Sequence, residues 1–419
     1  MTVRANQLAG LAVAIERVRR FDAPADTVLT ALFRASGEMG QRDRAFVAEG
    51  VYAYLRRKRS LEALAATADP HKLALSALVR ELGHSVRELQ PVLRGNDASW
   101  LADFKHRAQT ATLAPAIVAD VPDWLWDRLR GVYGDAEAMA LARALQTPAA
   151  FDLRVNPAKT TREDALAQLQ RENFEATATP YAPLGIRVAG RPSLVKHPWL
   201  VDGRLEVQDE GSQLAGQLVA PRRNDMAVDF CAGAGGKTLL LGALMRSQGR
   251  LYAFDVNAKR LARLTPRLAR SGLSNVHPQV IADETDAKVK RLAGKIDRVL
   301  VDAPCSGFGT LRRNPDLKWR QTPIDIEELT AKQRRIIVSA ATLVKPGGRL
   351  VYATCSVLPE ENDAVVDAFL AAHPDFAQRD AAAELARAGI ALDTGTSLRL
   401  LPHRHGCDGF FAAIVERLR

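Results

Sequence analysis

The chain has 419 residues, 47% hydrophobic and 25% charged, with a formal net charge of +10. That balance is ordinary for a globular protein, the length points to two or three domains, and the basic excess is compatible with a polyanionic partner. Four cysteines, none closer than about fifty residues to the next, exclude a disulfide framework and the paired CxxC of a zinc or redox site. Free thiols in a reducing cytoplasm are therefore expected, with no metal. No apolar run approaches the ~18–20 residues that span a bilayer, so no membrane partner is expected.

In chain order, the first stretch reads as almost wholly helical. Leu8, Leu11, Ile15 and Val18 fall at helical spacing, with Glu16 interrupting the apolar run, so the N-terminus reads as an amphipathic helix rather than a signal peptide. Val47, Val51 and Leu55 space a second helix, and Leu75, Leu78 and Leu82 another. Arg56, Arg57, Lys58 and Arg59 cluster at a helix end, either as a solvated face favoured by the helix dipole or as a patch facing RNA. Pro122 and Asp123 suit the first turn of a further helix.

The pattern changes near residue 150. Phe151 to Val155 alternates like a strand, 161–173 reads as a helix, and Gly185 to Val188 reads as a second strand. From about residue 201, the apolar runs MAVDF, RLYAFDV, VHPQVIAD, IDRVLVDAP, GRLVYATC and FFAAIVERL are mostly separated by helical stretches. That alternation predicts an α/β sheet, mostly parallel and doubly wound. Ligands of such sheets sit beyond the carboxyl ends of the strands.

The loop after MAVDF is CAGAGGKT, Cys231 to Thr238, and it opens a helix. Glycines admit a ligand close to the backbone, and a helix N-terminus offers free N–H groups. A phosphate-binding P-loop would need glycine where Cys231 stands, which disfavours a nucleoside triphosphatase. A nucleoside cofactor fits better. Asp255 ends the second strand, placed for ribose hydroxyls, and Asp283 ends the third, placed for an adenine. This much suits NAD or S-adenosyl-L-methionine; the missing G-x-G-x-x-G tilts against NAD.

The fourth and fifth strands run into Asp302-Ala303-Pro304-Cys305-Ser306-Gly307 and Thr354-Cys355-Ser356. Neighbouring strands would bring the two thiols together. A lone cysteine is usually a small buried hydrophobe, and a regulatory disulfide is another use for a pair. Two thiols beside a methyl donor suit one chemistry in particular. Carbon 5 of cytosine is a poor nucleophile until a thiolate adds to carbon 6, which makes carbon 5 enamine-like. A second thiol, or a base near it, would help remove the carbon-5 proton and eliminate the first. The Asp302 carboxylate could hold protonated N3. A catalytically silent RNA-binding or assembly factor would need neither cysteine.

These blocks, with VQDEGSQLAGQLVAP, VDAPCSGFGTLRRNPDLKW, LVKPGGRLVYATCSVLPEEN and the closing LPHRHGCDGFFAA, resemble the RNA cytosine carbon-5 methyltransferases of the Nol–Nop–Sun family. RRNPDLKW, Arg312 to Trp319, points to the bacterial Sun branch, and the likeness runs from about Pro122 to the C-terminus. The resemblance implies Cys355 as nucleophile, Cys305 assisting release, and Asp302 beside the ring. DNA cytosine methyltransferases use the Pro-Cys cysteine instead, so the chemistry alone leaves the two roles open. The resemblance also implies S-adenosyl-L-methionine bound by Cys231, Ala232, Gly233, Ala234, Gly235, Gly236, Lys237, Asp255, Asp283 and Asp302. The family usually has proline where this chain has Ala234, which should cost the loop rigidity. The implied substrate is small-subunit (16S) ribosomal RNA, its target cytosine unstacked or flipped out, and the implied state is a monomer.

The expected architecture is therefore α/β: a Rossmann-like methyltransferase sheet at 206–419, an all-helical NusB-like RNA-binding domain at 1–135, and a small α+β insert like an RNA-recognition motif at 136–205. Arg312, Arg313, Lys318 and Arg320, with Trp319 among them, are expected to contact phosphates and stack on bases, or else to form a solvated loop with Trp319 packed inside.

Overall fold

The computed structural model describes residues 2–418 apart from Glu38, Arg191, Ser193 and Val195. The chain forms two compact units: Met1–Pro148 with Thr310–Thr322, and Ala149–Gly309 with Pro323–Arg419. The sequence reading assigned all of 206–419 to one domain, whereas Thr310–Thr322 packs within the first unit.

That first unit is helical among the described residues. Its principal helices are Ala5–Val18, Ala25–Ala35, Gln41–Arg56, Lys58–Ala65, Pro70–Arg80, Asp97–Thr110 and Asp123–Leu145, the last broken at Gly134, where φ is 75°. The apolar spacing read from the sequence is the buried stripe: Leu8, Leu11, Ile15, Val18, Val47, Val51, Leu55, Leu75 and Leu78 are all buried together.

The basic cluster at the end of Gln41–Arg56 is neither a solvated face nor an open patch. Arg56 is buried and donates to the Arg312 carbonyl, Arg57 pairs with Glu81, Lys58 with Glu62 and Arg59 with Asp123. Of the two readings of the stretch around Trp319, the structure shows the one with Trp319 packed inside, though Lys318 is buried rather than solvated. Trp319 packs against the helical core and donates Nε1–H to the Leu55 carbonyl at 2.9 Å, while Lys318, 2% exposed, donates to the Arg56 carbonyl at 3.0 Å. A helix ends with orphan carbonyls, and these two side chains satisfy a pair of them on Gln41–Arg56. Alternating basic and aromatic residues looked like an RNA motif because side-chain type does not reveal which helix end will need donors.

The second unit carries two sheets. The small one comprises β1 (Phe151–Val155), β2 (Ala176–Ala178), β3 (Gly185–Val188) and β4 (Leu205–Val207) in the order β2-β3-β1-β4, all antiparallel. Leu153, Val155, Ile186, Val188 and Leu205 face Ala165 and Leu169 of the helix Arg162–Arg171. β2 and β4 escaped the sequence reading because three residues show no periodicity.

The large sheet comprises β5 (Met226–Asp229), β6 (Arg250–Asp255), β7 (Val276–Val280), β8 (Ile296–Asp302), β9 (Val344–Thr354), β10 (Phe376–Arg379), β11 (Leu398–Leu400) and β12 (Phe410–Arg417). Its order is β10-β12-β9-β8-β5-β6-β7, with β11 also on β12. Pairings from β7 through β9 are parallel and those of β12 antiparallel, so the expected mostly parallel sheet is present, extended by an antiparallel edge. Both faces are covered. Leu300, Val351, Ala353, Ala412 and Ile414 pack one way with Leu214, Leu239 and Leu264; Val299, Val301, Tyr352, Phe411 and Ala413 pack the other way with Ile337, Val366 and Phe369. Burial on both faces is why these strands read as continuous apolar runs.

Burial pushes the Lys318 amine down from 10.5 to about 7, against the nearby Asp120 carboxylate. Between those values the unfolded chain holds the proton and the folded chain does not, so this group's contribution to stability rises with pH. Urea denaturation of the wild type and of Lys318→Met at pH 7 and pH 9.5 should show the difference between them moving in favour of the wild type at the higher pH. A pH-independent difference would contradict the burial argument.

Candidate active site

The strands β5, β6 and β8, with β9 beside β8, end on one side of the large sheet, and the loops beyond them line a cavity of about 410 Å³. Its wall includes Cys231, Asp255, Asn257, Arg260, Asp302, Cys305, Lys332 and Cys355. The volume lies within the few hundred Å³ usual for cofactor pockets.

Beyond β5 the chain turns through 231–235 into the helix Gly236–Leu244. Gly233 and Gly235 have φ of 55° and 84°. A Cβ on Gly235 would come within 2.2 Å of Leu264 Cδ1, so glycine is required there by both backbone and space. Asp255, buried at the end of β6, braces the turn: its two oxygens accept from the N–H groups of Gly233 and Asn257, each at 2.7 Å. Each carboxylate oxygen retains acceptor capacity, so the ribose role expected of Asp255 is compatible with this bracing.

The loop is also held from behind. Arg267 donates to the Ala234 carbonyl, and Arg154, fully buried on β1, donates to that of Gly236 at 2.6 Å. Glu206 on β4 clamps both Arg267 and Arg270 at 2.8 Å. Burial pulls the Arg154 guanidinium down to about 10, and Glu206 opposes that shift. These hydrogen bonds act where the expected proline is absent.

Lys237, one residue into the helix, does not reach outward as a P-loop lysine would. It is buried and pairs with Asp302 Oδ2 at 2.9 Å. Burial works against its charge, but Asp302, then Cys355 and Asp229, outweigh it and leave its pKa above the usual lysine range. Asp302 remains one-third exposed.

β8 and β9 pair in parallel with Asp302 opposite Ala353. Cys305 lies three residues beyond the first and Cys355 two beyond the second, and their sulfurs are 3.4 Å apart. None of the four cysteines is in a disulfide. Hydrogen bonding to Cys355 and burial push the Cys305 thiol well up, so Cys305 keeps its proton, and either sulfur can be the donor in their contact. Burial and the surrounding Asp229, Asp302 and Asp255 likewise raise Cys231.

The expected site residues thus divide. Cys231, Asp255, Asp302, Cys305 and Cys355 share one cavity wall, while Ala232, Gly233, Ala234, Gly235 and Gly236 form the turn above it, with Lys237 behind Asp302. Asp283 lies apart. It is exposed and caps Thr285 through N–H and Oγ1 at 2.7 and 2.8 Å, which lowers its pKa; Ile281 and Glu284 complete the wall there instead. Sequence reasoning missed Asn257, whose signal was its place two residues after Asp255. It also missed Lys332, which lies on the helix Pro323–Ala341 with no motif around it.

Two family models match: 16S rRNA methyltransferase RsmB/F over residues 216–416, and the RsmF/B-like ferredoxin-like domain over 121–194. A probable ribosomal RNA small subunit methyltransferase B of Synechocystis sp. is 37% identical over 71% of this chain and 66% of its own length. The ribosomal RNA small subunit methyltransferase B of Sodalis glossinidius is 35% identical over 81% of this chain and 76% of its own. The chain thus spans just under two thirds of the former and about three quarters of the latter. Among solved structures, PH0851 is 26% identical with a TM-score of 0.79, each chain covered in full.

Thiol labelling tests the electrostatics of the pair. Brief iodoacetamide treatment at pH 7.5 should modify Cys355 before Cys231, Cys305 or Cys407, because burial and neighbouring groups hold those three protonated. Peptide mass spectrometry reads the order; faster labelling at Cys305 would contradict the assignment of the proton.

Proposed function

Because the chain belongs to the ribosomal RNA small subunit methyltransferase B family, we propose that it methylates carbon 5 of a cytosine in 16S ribosomal RNA. The donor is S-adenosyl-L-methionine, and the reaction passes through a covalent adduct at Cys355. The observation that carries this reading is the 3.4 Å approach of the Cys305 and Cys355 sulfurs in the wall shared with Asp255 and Asp302. A structural or silent RNA-binding role gives no reason for two free thiols to converge there.

The glycine turn fits an adenosyl group, since it brings backbone close to the cavity and Asp255 keeps acceptor capacity beside it. Asp255 and Asn257 would hold that group, with the turn above. When bound, the cofactor supplies an electrophilic methyl group on a sulfonium.

The chain's own residues do the rest. Cys355 Sγ adds to carbon 6 of the ring, forming a carbon–sulfur bond and leaving carbon 5 electron-rich. Asp302, partly exposed to the cavity and held by Lys237, accepts a hydrogen bond from protonated N3 and so stabilises the adduct. Once the Cys355 sulfur is in a thioether, the largest of the interactions that keep Cys305 protonated, its hydrogen bond with the Cys355 thiol, is changed. Cys305 gives its proton to solvent in the cavity, and its thiolate takes the carbon-5 proton after methyl transfer, so that the bond to Cys355 breaks, Cys355 leaves as thiolate and the aromatic ring is restored. Carbon 5 is shielded in a stacked helix, so the target cytosine must be unstacked or flipped into the cavity.

Cys355→Ala should reduce methylation of 16S RNA to background in bisulfite sequencing while binding S-adenosylhomocysteine as the wild type does. Cys305→Ala should form the adduct and release it slowly, so a protein–RNA conjugate should survive a denaturing gel. Full methylation by Cys355→Ala would refute the nucleophile; a conjugate with Cys355→Ala and none with Cys305→Ala would reverse the two roles.

A further inference from the structure

Directly behind the two sulfurs lies Glu361, fully buried in the turn Pro359–Glu361. Its Oε1 accepts from the Ser306 backbone N–H at 2.8 Å and from Gln333 Nε2 at 3.0 Å; its Oε2 accepts from the hydroxyls of Ser306 and Ser356, each at 2.5 Å. Ser306 follows Cys305 and Ser356 follows Cys355, so one carboxylate grips the residue next to each thiol. Gln333 also donates to the Pro304 carbonyl at 2.9 Å, and Tyr352 donates its hydroxyl to the Glu361 carbonyl at 2.7 Å. Three hydrogen bonds from the loops that follow β8 and β9, and one from Gln333 on the helix Pro323–Ala341, hold the carboxylate. A purely stabilising site would have been simpler to fill with apolar side chains. The glutamate is aimed at the two segments whose spacing the chemistry depends on.

We propose that Glu361 is a positioning residue that ties the Cys305 and Cys355 loops together through Ser306 and Ser356 and so sets the separation of the two thiols. The inference rests on the proposed reaction only for its consequence in catalysis; the geometric part stands alone. After the hydrogen bond to Cys355 and burial, the charge of Glu361 also raises the Cys305 thiol. Glu361→Leu keeps roughly the size but removes both acceptor oxygens, leaving the Ser306 N–H, the Gln333 amide and the two serine hydroxyls without the group that joins them. The clamp must then open on at least one side.

The test uses the full chain and phenylarsine oxide, which binds two thiols only when their sulfurs lie close, forming two arsenic–sulfur bonds as both thiol protons leave with its oxygen as water. The wild type should bind one equivalent through Cys305 and Cys355, shown by intact mass and by protection of both from alkylation. Glu361→Leu should bind the arsenical at least about tenfold more weakly. Its kcat should fall about tenfold to a hundredfold with the KM for S-adenosylmethionine within about twofold, the range expected of a misplacement near 1 Å. Ser356→Ala, which removes one hydroxyl donor and leaves the carboxylate, should lie between the two and serves if Glu361→Leu folds poorly. Unchanged arsenical affinity in both variants overturns the proposal. So does a parallel loss of cofactor affinity, kcat and melting temperature, which would mark a residue needed only for folding. Absence of methylation in the wild type itself, with the arsenical results as expected, would sink the proposed reaction and leave the clamp in place.

Discussion

The parallel pairing of β8 with β9 is the constraint from which the site follows. Parallel strands end on the same side of a sheet, so two neighbouring strands deliver their following loops to one place. With Asp302 opposite Ala353, short loops of similar length carry Cys305 and Cys355 to the same depth, and 3.4 Å between the sulfurs is the result. A one-residue slip in this register would turn buried Leu300 and Val351 to the opposite face of the sheet. The apolar residues that build the core therefore also bring the two thiol-bearing loops to one place. What a sheet cannot fix is the conformation of the loops beyond its last hydrogen bond. The buried polar cluster around Glu361 lies at that point.

The glycine turn shows the same division of labour. β5 and β6 bring the turn and Asp255 together, and Asp255 locks it through the Gly233 and Asn257 N–H groups. The absent proline at Ala234 removes a backbone constraint. Arg267 and Arg154, held from β4 and β1, supply hydrogen bonds to the carbonyls of Ala234 and Gly236 instead. The small sheet thus does more than precede the large one in the chain: it supports the turn that would meet the cofactor. Three charged groups, Arg154, Glu206 and Arg267, are taken out of water together to do so, which is tolerable because each finds a partner of fixed geometry.

Much of this could be read in the sequence, for identifiable reasons. Strands buried on both faces give unbroken apolar runs, so the six principal strands of the large sheet were visible, as were the Asp302, Cys305 and Cys355 loops that close them. The short strands β2, β4, β10 and β11 were not, because three or four residues carry no period and depend on a neighbour for their pairing. Asp283, three residues past β7, caps its own loop through Thr285 and, like Asp255, retains acceptor capacity. Trp319 and Lys318 show where local reasoning stops. Their chemistry suggested RNA, but their donors are used inside a helical core, and nothing local in RRNPDLKW shows that Thr310–Thr322 belongs to the other unit. Glu361 was quoted within LPEEN and given no role, since its partners lie as far as fifty-five residues away.

The account depends most on which sulfur bonds to the ring. Incubating the protein and cofactor with 16S RNA carrying 5-fluorocytidine blocks loss of the substituent at carbon 5 and so traps the adduct, and peptide mass spectrometry then locates the RNA. The account requires the nucleotide on the peptide containing Cys355. A nucleotide on Cys305, or no trapped species from a protein that methylates ordinary RNA, would contradict it.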